Sequence, residues 1–233
     1  MSIDANLKQI EARIQAACER CHRNRREITL VGVSKKQPVA AIKEALQTTP
    51  LRDFGENYVQ EYVNKRREID DPNAQFHFIG HLQKNKVRQL MAFPPTLIHS
   101  VDSPDLARQI NKVSAEVAPD DRQKILIELR IGDEDSEKTG VELQDLPNLI
   151  QTIDECRHLH CVGLMIIPPF SENPEDSRPY FKKVREIFND INQKRTEKLT
   201  VLSYGMSADF EIAIEEGATH IRVGTALFGA RRA

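Results

Sequence analysis

Lys35 ends the run Val31-Gly32-Val33-Ser34-Lys35, and a lysine amine at a strand end can condense with an aldehyde carbonyl when burial lowers its pKa. Lys36 competes for that role. Side chains alternate along a strand, so Lys35 and not Lys36 shares the direction of Val31 and Val33, although spacing alone leaves open which parity faces inward. Two further segments, Gly205-Met206-Ser207 and Arg222-Val223-Gly224-Thr225-Ala226, each lead from an apolar stretch into a helical pattern. Helix N-termini carry positive partial charge, glycine lets an anion approach the backbone, and the Ser207 and Thr225 hydroxyls add donors. Side by side the two segments make a phosphate cup. Taken singly, Ser207 reads equally well as a helix cap and Gly224 as a tight turn. An amine facing a phosphate cup is equipment for an aldehyde-bearing phosphorylated cofactor.

Other reactive-looking groups lead nowhere. Cys18-Glu19-Arg20-Cys21-His22 has the spacing of covalent haem attachment, but both cysteines fall on the apolar stripe of a helix. Cys156, His158, His160 and Cys161 cannot converge on a zinc ion, because alternate residues of a strand face both ways. Lys138-Thr139-Gly140 lacks the preceding S-x-x-K of penicillin-recognising enzymes, and Asp133, Glu134, Asp135 and Glu137 do not follow EF-hand spacing. The basic groups Arg23/Arg25/Arg26, Lys65/Arg66/Arg67 and Lys84/Lys86/Arg88 read as solvated helix faces.

The elements that must position Lys35 and the two turns alternate along the chain. Ile3, Leu7, Ile10, Ile14, Cys18 and Cys21 form the stripe of an opening amphipathic helix. Strands are predicted at 28–33, 53–57, 76–80, 97–101, 124–131, 159–167, 199–204 and 220–223. Helices are predicted at 38–46, 59–69, 82–91, 104–117, 146–156, 179–193, 209–216 and 224–231, with Pro38 and Pro104 in first-turn positions, Ser103 and Ser207 as caps and Gly217 as a stop. An open doubly wound sheet would also alternate, but eight units in 233 residues favour closure into a single (β/α)8 TIM barrel with an extra N-terminal helix, one domain over 1–233. In such barrels the active site lies at the C-terminal ends of the strands, with phosphate often held after strands seven and eight.

The residues also carry a family pattern. Val33-Ser34-Lys35, Phe54-Gly55-Glu56-Asn57-Tyr58-Val59-Gln60-Glu61, His77-Phe78-Ile79-Gly80-His81-Leu82-Gln83-Lys84-Asn85-Lys86, Lys138-Thr139-Gly140, Gly163-Leu164-Met165, Gly205-Met206-Ser207-Ala208-Asp209-Phe210 and Arg222-Val223-Gly224-Thr225-Ala226-Leu227-Phe228-Gly229 occur in order over nearly the whole chain. Together they resemble the pyridoxal phosphate homeostasis proteins. The resemblance implies the barrel of fold-type III pyridoxal 5′-phosphate enzymes, similar to the N-terminal domain of alanine racemases. It implies an internal aldimine (Schiff base) on Lys35, phosphate contacts from Ser207, Gly224 and Thr225, Asn57 lining the cofactor and Arg222 at the pyridine nitrogen. An arginine stays protonated and leaves that nitrogen unprotonated, which makes the ring a weaker electron sink than an aspartate partner would. The chain departs from the pattern at His81 where proline is common, Thr139 where serine is common and Tyr204 where methionine or leucine is common.

The function implied is vitamin B6 homeostasis: buffering the cofactor or delivering it to apo-enzymes or a regulatory protein, without classical catalysis. The competing reading is an amino-acid racemase, and a lysine aldolase stands third. Racemisation needs a base on each face of the substrate, and Lys35 supplies one. The opposing tyrosine of alanine racemases comes from a second domain for which no sequence remains here, and of Tyr58, Tyr62, Tyr180 and Tyr204 only Tyr204 is placed near a strand's C-terminal end. A net charge of −2 argues against nucleic-acid partners. No apolar run is long enough for a membrane span, no signal peptide opens the chain, and four cysteines are too few for a disulfide framework, so a cytoplasmic protein is expected; without the second domain through which racemases complete their shared active sites, a monomer is expected too.

Overall fold

Ser2 opens the first helix by accepting a hydrogen bond from the Ala5 N–H at 3.2 Å, and α1 (Ile3–Arg20) then buries Ile3, Leu7, Ile10, Ile14, Ala17 and Cys18 on one side. Cys21 ends the stripe as the half-buried C-cap, and His22 turns the chain through a left-handed φ of 56°. The computed structural model describes residues 2–132 and 139–229. Strands β1 (Thr29–Val33), β2 (Asp53–Glu56), β3 (Gln75–Phe78), β4 (Leu97–Val101), β5 (Gln123–Glu128), β6 (Leu159–Met165), β7 (Val201–Ser203) and β8 (His220–Val223) form a closed, parallel barrel in sequence order. Helices α2 (Val39–Thr48), α3 (Val59–Glu68), α4 (Val87–Leu90), α5 (Pro104–Val117), α6 (Leu146–Glu155), α7 (Arg178–Lys194), α8 (Phe210–Glu215) and α9 (Thr225–Phe228) follow the strands. The predicted (β/α)8 order is the observed one.

Glycines reveal which strand parity faces the lumen. A Cβ on Gly32 would meet Leu51 and Leu227, residues of the outer layer, whereas one on Gly55 would meet Val31 at 3.0 Å and Ile79 at 2.9 Å across the interior. Val31 and Val33 therefore point inward, and Lys35 lies in the turn two residues beyond Val33. The outer layer is apolar, with Phe54, Phe76, Phe78 and Tyr62 packed ring against ring at 5.8 to 6.3 Å between centroids. Among the aliphatic side chains of the lumen stands a polar group, Asp53, His77, His99, Ser203, His220 and Arg222.

Several expected boundaries shift. Residues 82–91 form a 3-10 turn, Lys84–Lys86, and the single turn α4. Of the residues from 84 to 90 only Val87 and Leu90 are buried, so a longer amphipathic face has nothing to cover there. Pro38 is the N-cap of α2 rather than its first residue, and Ser103 caps α5 without a side-chain bond. Strand β7 keeps only three residues of the expected 199–204.

The β1–β8 pairing closes the barrel in the register Val31↔Arg222 and Gly32↔Val223. α1 fastens this seam from outside: Arg13 holds Glu211 through two hydrogen bonds at 2.8 and 3.3 Å, and Asn6 Nδ2 donates to Leu227 O at 2.9 Å. Strands β6 and β7 run so close that a Cβ on Gly163 would lie 1.8 Å from the Val201 carbonyl oxygen. Gly163→Ala is expected to cost about 3 kcal/mol or more, read as a fall in the denaturant midpoint, because backbone rather than a flexible side chain must give way.

Candidate functional site

The site begins where β1 and β2 end. Ser34 is fully buried; its hydroxyl donates to Glu56 Oε1 at 2.5 Å, and its carbonyl accepts from Lys65 Nζ at 2.7 Å. Lys65 also pairs with Glu56 Oε1 at 2.7 Å, so a buried ion pair clamps the backbone that leads into Lys35. Lys35 is half-buried. Lys36 is exposed, takes a left-handed φ of 59° and donates its N–H to Glu61 Oε2 at 2.8 Å, so the chain turns away directly after Lys35. Asn57 follows β2 with the same inward parity as Gly55. Its Oδ1 is buried without a hydrogen-bond partner, and Gly80 packs so tightly on its backbone that a Cβ would lie 2.1 Å from Asn57 O.

The two glycine-containing turns meet at the other side of the seam. The Arg222 N–H donates to Gly205 O at 2.9 Å, which ties the segment after β7 to β8. Gly205 needs its φ of +89°, and a Cβ there would strike Ala213 at 2.5 Å. Ser207 does not cap α8, as the sequence led one to expect. Asp209 is the N-cap residue; its Oδ1 accepts from Met206 N at 2.6 Å and its Oδ2 from Ser177 Oγ at 3.0 Å, which leaves the half-buried Ser207 hydroxyl for another partner. Gly224 precedes α9 and its carbonyl accepts from the Leu227 and Phe228 N–H groups at 2.9 Å; Thr225 is exposed on the first turn, and the Thr225 and Ala226 N–H groups come too early in the helix to have an intrahelical acceptor.

Arg222 points into the lumen and is 4% exposed. Its Nη1 donates to Ser203 O at 2.8 Å and Ser203 Oγ at 2.7 Å, and its Nη2 to Ile166 O at 3.0 Å. Burial lowers its pKa to about 10, which still leaves it charged at neutral pH. With five N–H donors, the guanidinium retains capacity for a further acceptor.

Sequence reasoning missed the polar groups beneath this rim. His99 Nδ1 lies 2.9 Å from Ser203 Oγ, His99 Nε2 lies 2.9 Å from His77 Nδ1, and His77 Nε2 lies 3.0 Å from Asp53 Oδ1. The only available signal was a polar residue at every second position of Asp53-Phe54-Gly55 and Gln75-Phe76-His77, which does not reveal that these strands share a lumen. Glu128 was missed too. Its Oε1 accepts from Thr139 Oγ1 at 2.6 Å, its Oε2 is buried without a partner, and burial raises its pKa. A raised folded-state pKa favours the fold below the unfolded value and withdraws that stability as pH rises through the folded one. Glu128→Gln is therefore expected to melt at an increasing margin above wild type from pH 5 to pH 8, by about 1 kcal/mol or more at the upper end, in paired thermal melts.

The departures at Thr139, His81 and Tyr204 all have partners: Thr139 the bond to Glu128, His81 an ion-pair contact with Asp102 at 3.6 Å, and Tyr204 an outward pocket. Tyr204 is fully buried, stacks on Phe181 with centroids 4.7 Å apart and donates to Glu216 O at 2.9 Å, so parity sends it away from the lumen. Tyr58, set aside on sequence grounds, stands two residues beyond β2 at the C-terminal rim and is 50% exposed. Cys18, Cys156 and Cys161 are buried, and among the described residues no cluster of three His, Cys, Asp or Glu side chains could hold a metal. Lys138, the acidic residues 133–137 and the last residues of the predicted helix 224–231 lie outside the described residues. Among those described, no helix is long and apolar enough to cross a membrane.

Comparison with known proteins identifies the family. Residues 5–232 match the family model of the alanine racemase N-terminal domain. The pyridoxal phosphate homeostasis protein of Aquifex aeolicus is 43% identical over 232 residues, covering 100% of both chains, and that of Escherichia coli K12 is 41% identical over 97% of this chain and 95% of its own. The structure of PipY from Synechococcus elongatus with pyridoxal phosphate bound superposes with a TM-score of 0.85 at 32% identity, over 98% of this chain and 100% of PipY. Alanine racemase of Corynebacterium glutamicum, at 14% identity, shares the fold over 62% of its length with a TM-score of 0.72. Chain-length matches at these identities make this chain a member of the alanine racemase N-terminal domain family and, within it, of the pyridoxal phosphate homeostasis proteins.

Proposed function

We propose that the protein binds pyridoxal 5′-phosphate and buffers it or delivers it to other proteins, without turning over a substrate. The observation that carries this reading is the seam: because β1 pairs with β8 and Arg222 N bonds Gly205 O, Lys35, Ser207 and Gly224–Thr225 leave neighbouring strands at one rim. The residues fit the group. Ser207, Gly224 and Thr225 receive the phosphate with hydroxyls and free N–H groups. The orphaned Asn57 Oδ1 and the spare Arg222 donors meet polar positions of a flat heteroaromatic ring. Lys35 would hold the aldehyde carbon through its amine, releasing water. When bound, the cofactor supplies an electrophilic carbon and a ring that delocalises charge. Arg222 restrains the second property, since it donates to the ring nitrogen and keeps its own proton.

A racemase needs a second base across the ring from Lys35. Tyr204, the tyrosine that sequence position favoured, faces Phe181 and Glu216 on the outside of the barrel. That arrangement supports a holder rather than a catalyst. The test uses the purified protein with added pyridoxal phosphate: a visible absorbance band should appear, borohydride should remove it and fix the cofactor to the chain, and no alanine or serine enantiomer should be interconverted. A colourless protein after reconstitution overturns the binding reading, and racemisation that depends on Lys35 overturns the non-catalytic one.

A further inference from the structure

The hydrogen-bonded row under the rim has a direction that its own chemistry dictates. Arg222 is donor-only, so Ser203 Oγ must accept from Nη1 at 2.7 Å. The Ser203 hydrogen then points to the remaining polar neighbour, His99 Nδ1 at 2.9 Å, which must be an acceptor. His99 is fully buried, and burial together with nearby His77, His220 and Arg222 holds its pKa well below the ordinary value, so the ring is neutral with its one hydrogen on Nε2. That hydrogen is donated to His77 Nδ1 at 2.9 Å. His77 carries its own hydrogen on Nε2 and donates it to Asp53 Oδ1 at 3.0 Å.

Four bonds thus run one way, from Arg222 through Ser203, His99 and His77 to Asp53. Two imidazoles with one ring hydrogen each could be arranged in either direction. Asp53 removes the ambiguity: an ionised carboxylate only accepts, so the reverse arrangement would set its oxygen against the lone pair of His77 Nε2. Asp53 begins β2 and Asn57 follows its end, so the carboxylate lies roughly 13 Å of strand below the rim, at 3.3 Å per residue. No packing requirement calls for two histidines, a serine and an aspartate in line at the centre of a barrel.

We propose that Asp53, His77 and His99 are positioning residues that fix the hydrogen-bond direction at Ser203, and so hold Arg222 as a donor toward the ring nitrogen of the bound cofactor. The last link rests on the pyridoxal phosphate reading; the direction of the row does not. In the reverse arrangement Ser203 Oγ would receive from both His99 and Arg222, its own hydrogen would lose its partner, and the Arg222 anchor would loosen.

Nitrogen-15 NMR of histidine-labelled protein without cofactor tests the direction in the wild-type chain. Expected are unprotonated Nδ1 on both His77 and His99 and a measurable scalar coupling across the His99 Nε2–H···Nδ1 His77 bond. A protonated His99 Nδ1 overturns the proposal. The cofactor end is read from the visible band and affinity of bound pyridoxal phosphate. Ser203→Ala should shift the band and weaken binding about tenfold, the worth of one hydrogen bond to a charged group. The isosteric Asp53→Asn should mix the two imidazole arrangements and move the band in the same direction by less. Variants that lower the melting temperature but leave both the ring tautomers and the band unchanged overturn it as well. Failure of wild type to bind pyridoxal phosphate would instead count against the proposed function, with the NMR result unaffected.

Discussion

Lys35→Ala should yield a folded, colourless protein that borohydride no longer fixes to pyridoxal phosphate, while Lys36→Ala stays coloured. The contrast follows from backbone geometry. Lys35 is half-buried and stands two residues beyond the inward-facing Val33, whereas Lys36 is exposed and committed by its left-handed φ and its N–H bond to Glu61 to the path away from the lumen. Ser207, Gly224, Thr225 and Arg222 are untouched by Lys35→Ala, so the phosphate should still bind, reversibly and far more weakly. Thermal melts give an independent measure. Cofactor at a hundred times its Kd stabilises a protein by about 2.7 kcal/mol. That upward shift in Tm should be present in wild type and Lys36→Ala and nearly vanish in Lys35→Ala at the same concentration.

The second large effect lies beneath Lys35. Lys65→Ala is expected to cost about 3–5 kcal/mol, the usual consequence of stripping one partner from a buried pair. Glu56 is fully buried, its Oε2 already lacks a partner, and removal of Lys65 leaves its Oε1 with Ser34 alone. Desolvation raises the Glu56 pKa and Lys65 opposes that rise, so the variant raises it further. The sign follows: a raised folded-state pKa supports the fold at low pH and loses that support as pH climbs through it. The deficit of Lys65→Ala in urea melts should therefore be larger at pH 8 than at pH 5. Replacing both charges, as Lys65→Met with Glu56→Gln, should recover most of the loss; equal deficits at both pH values would show that lost packing, not the stranded carboxylate, carries the cost. Because Lys65 also holds the Ser34 carbonyl, the single variant should bind cofactor less tightly even where it remains folded.

Much of this was legible in the chain. Alternation of short apolar runs with amphipathic stretches gave the eight β/α units, because each strand is buried on both faces and each helix on one. Lys35, Asn57 and the turns at Gly205 and Gly224 were singled out where motif and strand end coincide, and each does follow the C-terminal end of a strand. What failed depended on direction in three dimensions. Tyr204 does stand at a strand's C-terminal end as expected, but its outward packing onto Phe181 could not be read from the sequence. Ser207 matches a cap by type, but Asp209 reaches the Met206 N–H instead. The histidines of the lumen sit on separate strands as isolated polar residues among aromatics and aliphatics. Nothing in a linear pattern shows that His77, His99 and Ser203 meet, since their proximity exists only after the sheet closes. Glu56 and Lys65 were hidden for a similar reason, each looking like an ordinary surface charge until the barrel placed both under Ser34.

The seam between β1 and β8 joins parts of the chain that are far apart, as the bond from Asn6 to Leu227 across 221 positions illustrates. Loops of that length are the most expensive to close in entropy and the last to be repaid by contacts during folding. A molecule gripped by Lys35 on one side and by Gly224 and Thr225 on the other acts as a clasp on that loop. Were pyridoxal phosphate bound there as proposed, its concentration would set how often the two ends part, and the ease of local opening along this one line of strands would follow the cofactor level.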